Sequence, residues 1–244
     1  MIGKWRVLES IGNGGNATVF KVTDNDGNYF ALKRLNTVDE EKRARFNRES
    51  SFIGDYPILS QKQLLLPIID KDLTCEHPYY VMPLAIPLKK ITFDSLQSKC
   101  NAIIDVLEML SQLHKLGIAH RDIKPENILA YNNSFYLSDF GLMFIRDAKR
   151  ITKEADRERI GAKRTIAPEM ERKAGYDADP YKADIYSIEK TIWMILTEDY
   201  DCFEGQYDSN SAISLDRYDK IGSFDDGLIP SAPYFTPLDL LLTQ

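Results

Sequence analysis

β-Branched and aromatic residues gather in three short runs, 5–11, 17–23 and 29–35, and this enrichment predicts three β-strands. The second and third runs are separated by Asp24-Asn25-Asp26-Gly27-Asn28, a composition that supplies the positive-φ positions of a hairpin. An antiparallel three-strand start follows. Residues 38–54 switch to helical chemistry, with Glu40, Glu41, Lys42, Arg43, Arg45, Arg48 and Glu49 around Val38, Phe46 and Ile53, closing at Gly54. Two further apolar runs, 58–69 and 79–82, predict strands, and 83–90, carrying Pro83 and Pro87, suits a connector. Between 95 and 116, Leu96, Cys100, Ile103, Leu107, Leu110 and Leu113 recur at intervals of three and four, the spacing of one helix face. A second apolar helix is predicted over 185–196. The stretch 198–226 holds nine acids against Arg217 and Lys220 and reads as solvated loop.

Strands followed by helices in a chain of 244 residues, with 43% hydrophobic and 28% charged positions, describe a globular α+β protein in one large or two small lobes. A formal charge of −6 argues against nucleic acid or anionic membrane as the main partner. Cys75, Cys100 and Cys202 are odd in number and widely spaced, which fits neither a disulfide framework nor a zinc-ligand pair and favours a reducing compartment. The opening residues lack a signal-peptide core, and the longest greasy run, Leu64 to Ile69, is short and broken by Pro67. A soluble, cytoplasmic protein with no nucleic-acid or membrane partner is expected.

Candidate chemistry begins in the turn between the first two strands, Gly12-Asn13-Gly14-Gly15-Asn16-Ala17-Thr18-Val19, whose small residues let backbone N–H groups approach a phosphate chain. Alone, this is equally an ordinary glycine-rich hairpin turn. Lys33, preceded by the apolar Ala31 and Leu32 on the third strand, would project its ammonium beneath that turn and needs an anionic partner, which Glu49 on the following helix can provide. Further along lie His120-Arg121-Asp122-Ile123-Lys124-Pro125-Glu126-Asn127, Asp139-Phe140-Gly141, Ala167-Pro168-Glu169 and Asp184-Ile185-Tyr186-Ser187. This ordered set resembles the eukaryotic-type protein kinases from about Gly12 to Ser187.

The resemblance implies a two-lobed kinase-like fold: a small antiparallel β lobe with one helix over 1–82, a hinge at 83–88, and a larger, mainly helical lobe over 89–244. It implies an activation segment at 139–169 and an ATP- and Mg2+-dependent transfer to Ser or Thr of protein substrates, autophosphorylation included. By the same resemblance Lys33, held by Glu49, grips the α- and β-phosphates, Asn127 and Asp139 ligate Mg2+, Asp122 receives the acceptor proton, and Lys124 neutralises γ-phosphate charge. Gly12, Gly14 and Gly15 cover the phosphates. Ile11, Val19, Ala31, Met82 and Leu129 line an adenine slot, and backbone groups of Pro83 and Ala85 read the base edge. Core packing is the plain alternative for Ile11, Val19 and Leu129. Lys124 favours the serine/threonine branch.

Several positions depart from the family pattern. Ala17 stands where the third loop glycine is usual, Ala162 where a threonine commonly contacts the catalytic Asp and Lys, with Thr165 as a substitute, and Glu189 where glycine is common. The chain stops at Gln244, before the family's last helices and the arginine that usually pairs with Glu169, so Glu169 is expected either exposed or served by another cation. Glu158 offers a permanent carboxylate to Arg121 in place of a phosphorylated residue, or is simply solvated. Eight basic residues against four acids between Arg146 and Arg164 leave a local excess of positive charge, suited to an acidic substrate segment or to a solvated loop. Two rivals remain at this point: a small-molecule kinase, and a catalytically weak or inactive kinase-fold interaction module. The oligomeric state is not legible.

Overall fold

The computed structural model describes residues 1–55, 64–146, 164–171 and 178–201. These form two compact units: Met1–Ile86 with Leu129–Gly141, and Pro87–Ile128 with the chain from Leu142 onward.

The first unit is built on an antiparallel sheet of β1 (Arg6–Asn13), β2 (Ala17–Thr23), β3 (Tyr29–Leu35), β4 (Asp70–Asp72) and β5 (Tyr79–Pro83), ordered β1-β2-β3-β5-β4. β2 and β3 coincide with the predicted runs. Their turn forms because the Asp24 carboxylate accepts from the backbone N–H of Asp26 (2.9 Å) and Asn28 (2.8 Å) while Gly27 takes φ +85°. One sheet face packs Val22, Leu32 and Val81 with Trp5 and Tyr79. On the other, Leu35 and Tyr80 join Phe46 of α1 (Glu40–Asp55). α1 starts two residues later than its composition predicts, because the Asp39 carboxylate accepts from the Lys42 N–H (2.9 Å) and acts as its cap.

The strand predicted over 58–69 is a correction. Residues 56–63 lie outside the described residues, and 64–69 are not strand although Leu65 and Leu66 are buried. Pro67 has no N–H to give a ladder. The strand itself is the polar Asp70-Lys71-Asp72, where Asp70 faces Val81 and Asp72 faces Tyr79, entered by the Ile69 N–H donating to the Val81 carbonyl (2.8 Å). After β6 (Ile86–Pro87) the chain enters the second unit, then returns to the first through β8 (Ile128–Tyr131) and β9 (Ser134–Leu137). Asn132 (φ +49°) and Asn133 (φ +62°) between β8 and β9 provide the left-handed pair of a tight hairpin.

In the second unit, α2 (Leu96–Lys115) starts at Ser95 with a reciprocal capping box to Ser98. Its buried face is Lys99, Ala102, Val106, Met109, Leu110 and Leu113, whereas Leu107, predicted to face inward, is 39% exposed. The stripe is rotated because Lys99 is drawn inside: its ammonium donates to the Leu196 carbonyl (2.8 Å) and pairs with Glu198 (2.8 Å). β7 (Ile118–Ala119) pairs with β10 (Phe144–Ile145). A short α3 (Pro168–Glu171) precedes α4 (Pro180–Thr197), which begins five residues before the predicted 185. Asp179 caps it by accepting from the Tyr181 and Lys182 N–H groups, with Pro180 in the first helical position. α4 is the centre of this unit, with Ile188, Trp193, Met194 and Ile195 buried.

Candidate functional site

In the first unit, strand register assembles most of the predicted nucleotide residues. Gly12 faces Val19 across β1 and β2, Val19 faces Lys33, and Lys33 faces Tyr80 on β5. One step along, Ala31 faces Met82. Cross-strand partners and every second residue share a sheet face, so Val19, Ala31, Lys33 and Met82 present together. Ile11 is the unpaired residue of the irregularity between Ser10 and Gly12. Pro83 ends β5, Ala85 lies between β5 and β6, and Leu129 is on β8.

Gly14 and Gly15 form the link between β1 and β2, held by the Gly14 N–H donating to the Ala17 carbonyl (2.9 Å). None of Gly12, Gly14 and Gly15 has positive φ. A Cβ at Gly15 would meet nothing within 4 Å, and those at Gly12 and Gly14 would come no closer than 3.5 and 3.4 Å to their neighbours. Neither backbone conformation nor internal packing requires glycine here. Of the three, Gly15 borders open space.

The Lys33 ammonium donates to both carboxylate oxygens of Glu49 (2.9 Å each) and to Asp139 Oδ1 (3.1 Å). Glu49 is 2% exposed and also accepts from the Tyr80 hydroxyl (3.0 Å). Burial works against the Lys33 charge, but the carboxylates of Asp139 and Glu49 outweigh it and hold its pKa well above the ordinary lysine value. Burial raises the Glu49 pKa, with Lys33 opposing and Asp139 reinforcing. Asp139 sits at φ +64°, and the Phe140 ring beside it is buried against Phe52 of α1, with centroids 5.0 Å apart. A residue held outside its preferred backbone region next to such packing is a positioned residue.

The second unit carries the Asp122 cluster. The Lys124 ammonium donates to Asp122 Oδ2 (2.7 Å), and the Asn127 amide nitrogen donates to the same oxygen (2.8 Å) and to the Asp122 carbonyl (2.8 Å). The Asp122 N–H donates to His120 Nδ1 (3.2 Å). Arg121 takes φ +67°, and what holds it is Asp184 on α4, whose carboxylate accepts from the backbone N–H of His120 and Arg121 at 2.7 Å each. His114 on α2 hydrogen-bonds the same carboxylate at 3.0 Å.

Thr165 donates to the Ile123 carbonyl (2.8 Å), so it braces the backbone between Asp122 and Lys124 and does not take up the side-chain contact expected at position 162. Ser187 in turn donates to the Thr165 carbonyl (2.8 Å). Ala162, Glu158 and Thr152 lie outside the described residues, as does the basic run apart from Arg146 and Arg164. Glu169 is exposed, so it carries no buried-charge penalty.

Lys33, Glu49 and Asp139 thus gather in one unit, and Asp122, Lys124 and Asn127 in the other. Asp139 and Asn127 offer carboxylate and amide oxygens, the hard donors that suit Mg2+. Among the described residues no group of three or more His, Cys, Asp or Glu is placed to hold a metal ion by itself. Sequence reasoning missed Tyr80, and left without a partner Asp184, whose burial in an apolar helix was the available signal.

A family model for the protein kinase domain matches residues 5–223, and the chain belongs to that family. Among curated relatives, a "probable serine/threonine-protein kinase" of Clostridium acetobutylicum is 28% identical over 223 residues, covering 87% of this chain and 32% of that protein. The serine/threonine-protein kinase PknL of Mycobacterium tuberculosis is 29% identical over 227 residues, covering 88% of this chain and 54% of PknL. The chain therefore spans a third to about half the length of these relatives. A crystallised kinase domain superposes with a TM-score of 0.64 at 16% identity, over 80% of this chain and 64% of that one, and shows the same fold.

Proposed function

We propose that this chain is the catalytic domain of an ATP- and Mg2+-dependent protein kinase that phosphorylates Ser or Thr of protein substrates. The observation that carries the proposal is Lys33, an ammonium kept protonated between Glu49 and Asp139 on the sheet face that also presents Val19, Ala31 and Met82. The family membership and the names of the relatives support the serine/threonine assignment.

In this reading the lobes are 1–82 and 89–244 joined at 83–88, with an activation segment over 139–169. Lys33 grips the nucleotide phosphates, oriented by Glu49. Gly12, Gly14 and Gly15 cover them with backbone N–H groups, and Ile11, Val19, Ala31, Met82 and Leu129 line the adenine slot, whose edge Pro83 and Ala85 read. Both donors to Asp122 converge on Oδ2, which would leave Oδ1 to orient the acceptor hydroxyl and receive its proton. Lys124 lends positive charge beside that carboxylate. Asn127 and Asp139 would hold Mg2+, which when bound supplies the charge that offsets the triphosphate.

The protein substrate is acidic near its acceptor, to match the basic excess between Arg146 and Arg164. A cytoplasmic location is supported by the cysteine pattern, and no helix of the described residues is long and apolar enough to cross a membrane. The test is incubation with labelled ATP, Mg2+ and a mixture of acidic and basic proteins, followed by phosphoamino-acid analysis. Phosphoserine or phosphothreonine that disappears on chelation is expected. Label on small molecules alone, or nucleotide binding without transfer, would overturn the proposal.

A further inference from the structure

Three hydrogen bonds from two neighbouring side chains converge on the buried Glu49 carboxylate. Lys33 reaches both oxygens and Tyr80 reaches Oε1, so the phenol is a second partner of the carboxylate beside the ammonium. Lys33 and Tyr80 are direct cross-strand partners on β3 and β5, and the ammonium stands 5.7 Å from the Tyr80 ring centroid. The ring is fixed on its other side, with the Phe46 centroid 5.2 Å away in the cluster that joins α1 to the sheet. Tyr80 is 2% exposed, and its burial, with Glu49 adding to it, raises the phenol pKa well above the ordinary tyrosine value, so it remains a donor.

Lys33 bonds both oxygens of the carboxylate, and the Tyr80 hydroxyl adds a second donor from a different strand, which restricts its side-chain torsions further. Arg43, one and a half turns earlier on α1, donates to the Leu73 carbonyl (2.9 Å), the Cys75 carbonyl (2.7 Å) and the Glu76 carbonyl (3.2 Å). α1 is therefore tied to the β4–β5 connection by Arg43 and to β5 by Tyr80, and only the second tie acts on the residue that orients Lys33.

We infer that Tyr80 is a positioning residue for phosphate transfer, its hydroxyl fixing the Glu49 carboxylate and through it the Lys33 ammonium. The inference rests on the kinase reading above. The Tyr80 hydroxyl touches no reacting atom and acts through Glu49, while the ring, which Tyr80→Phe keeps, faces the Lys33 ammonium. Replacing Tyr80 with Phe removes one oxygen and keeps the ring contact with Phe46, so the fold is retained.

The experiment compares wild type, Tyr80→Phe, Glu49→Gln and the double variant by steady-state kinetics in ATP, with backbone amide hydrogen exchange across α1. Tyr80→Phe is expected to lower kcat and kcat/KM together by about fivefold with KM within twofold, because the lost bond serves the transition state. Amides of the α1 turn around Glu49 should exchange faster. In the Glu49→Gln background the same change should cost almost nothing further, since the two residues act as one unit. Unchanged kcat and unchanged exchange in Tyr80→Phe would overturn the inference while leaving the kinase reading intact, as would an equal fivefold loss in the Glu49→Gln background. Wild type that transfers no phosphate would sink the kinase reading, and the α1 exchange would then still decide whether Tyr80 fixes Glu49.

Discussion

The two clusters are held together in opposite ways. Around Asp122 the side-chain partners, Lys124 and Asn127, are two and five residues away, and the long-range help arrives at the backbone, from Asp184 and Thr165. Around Lys33 the partners are 16 and 106 residues away, and every bond is between side chains. A local cluster keeps its carboxylate and its donors together as long as the loop keeps its shape. A distributed cluster keeps them only while helix, sheet and the Asp139 turn are packed, and it leaves a buried charge behind when one member is lost. The first should fail through chemistry and the second through stability.

The largest expected effect tests the chemical side of that contrast. Asp122→Asn should cut transfer by two orders of magnitude or more with nucleotide affinity nearly unchanged and little change in unfolding free energy, measured by turnover, nucleotide titration and denaturant melts. A variant that instead loses stability would make the two clusters alike.

Lys33→Ala tests the other side. It should lower turnover strongly and also destabilise the fold by about 3 kcal/mol at pH 7, because Glu49 is left buried without its cation. The sign with pH follows from the raised pKa values. Lys33, raised above its ordinary 10.5, contributes stability that is present below that pH and lost as pH rises through its folded value. Glu49, raised above 4.5, favours the fold only when protonated, so burying its ionised form costs stability as pH rises past 4.5. In the variant this cost is no longer offset, so the gap to wild type should widen from pH 4 to pH 7 in chemical denaturation. A gap independent of pH would remove Glu49 from the explanation.

The smallest effect sharpens the contrast within the second unit. Asp184→Asn keeps the shape but turns an amide toward one of two backbone N–H groups, leaving it unpaired at a cost of about 2 kcal/mol. Arg121 would lose part of what holds its positive φ, and turnover should fall about fivefold. Unchanged turnover in a destabilised protein would mean that the Asp122 loop keeps its shape without Asp184.

The same contrast explains what could be read in advance. β2 and β3 were legible because clustered β-branched and aromatic residues and an Asp-Asn-Asp-Gly-Asn turn are local signals. Asp122, Lys124 and Asn127 were legible through the resemblance that their contiguous motif carries, and their mutual geometry is set within that loop. Leu107 was misread because periodicity sees only polarity, and Lys99 enters the interior through partners nearly a hundred residues away. The strand at Asp70–Asp72 was missed because pairing with β5, and not hydrophobicity, makes it.

By itself the sequence determined the motifs, their order and the chemistry each can perform, since residue type and short spacing fix which donors, acceptors and charges a loop carries. Tertiary structure alone decided that Tyr80 shares Glu49 with Lys33, that Val19 and Met82 face Lys33 and Ala31 across the sheet, and that Asp184 carries the backbone of His120 and Arg121. The physical reason is that strand register and helix packing choose among many long-range partners by burial, and a buried charge accepts whichever donors that packing brings within reach.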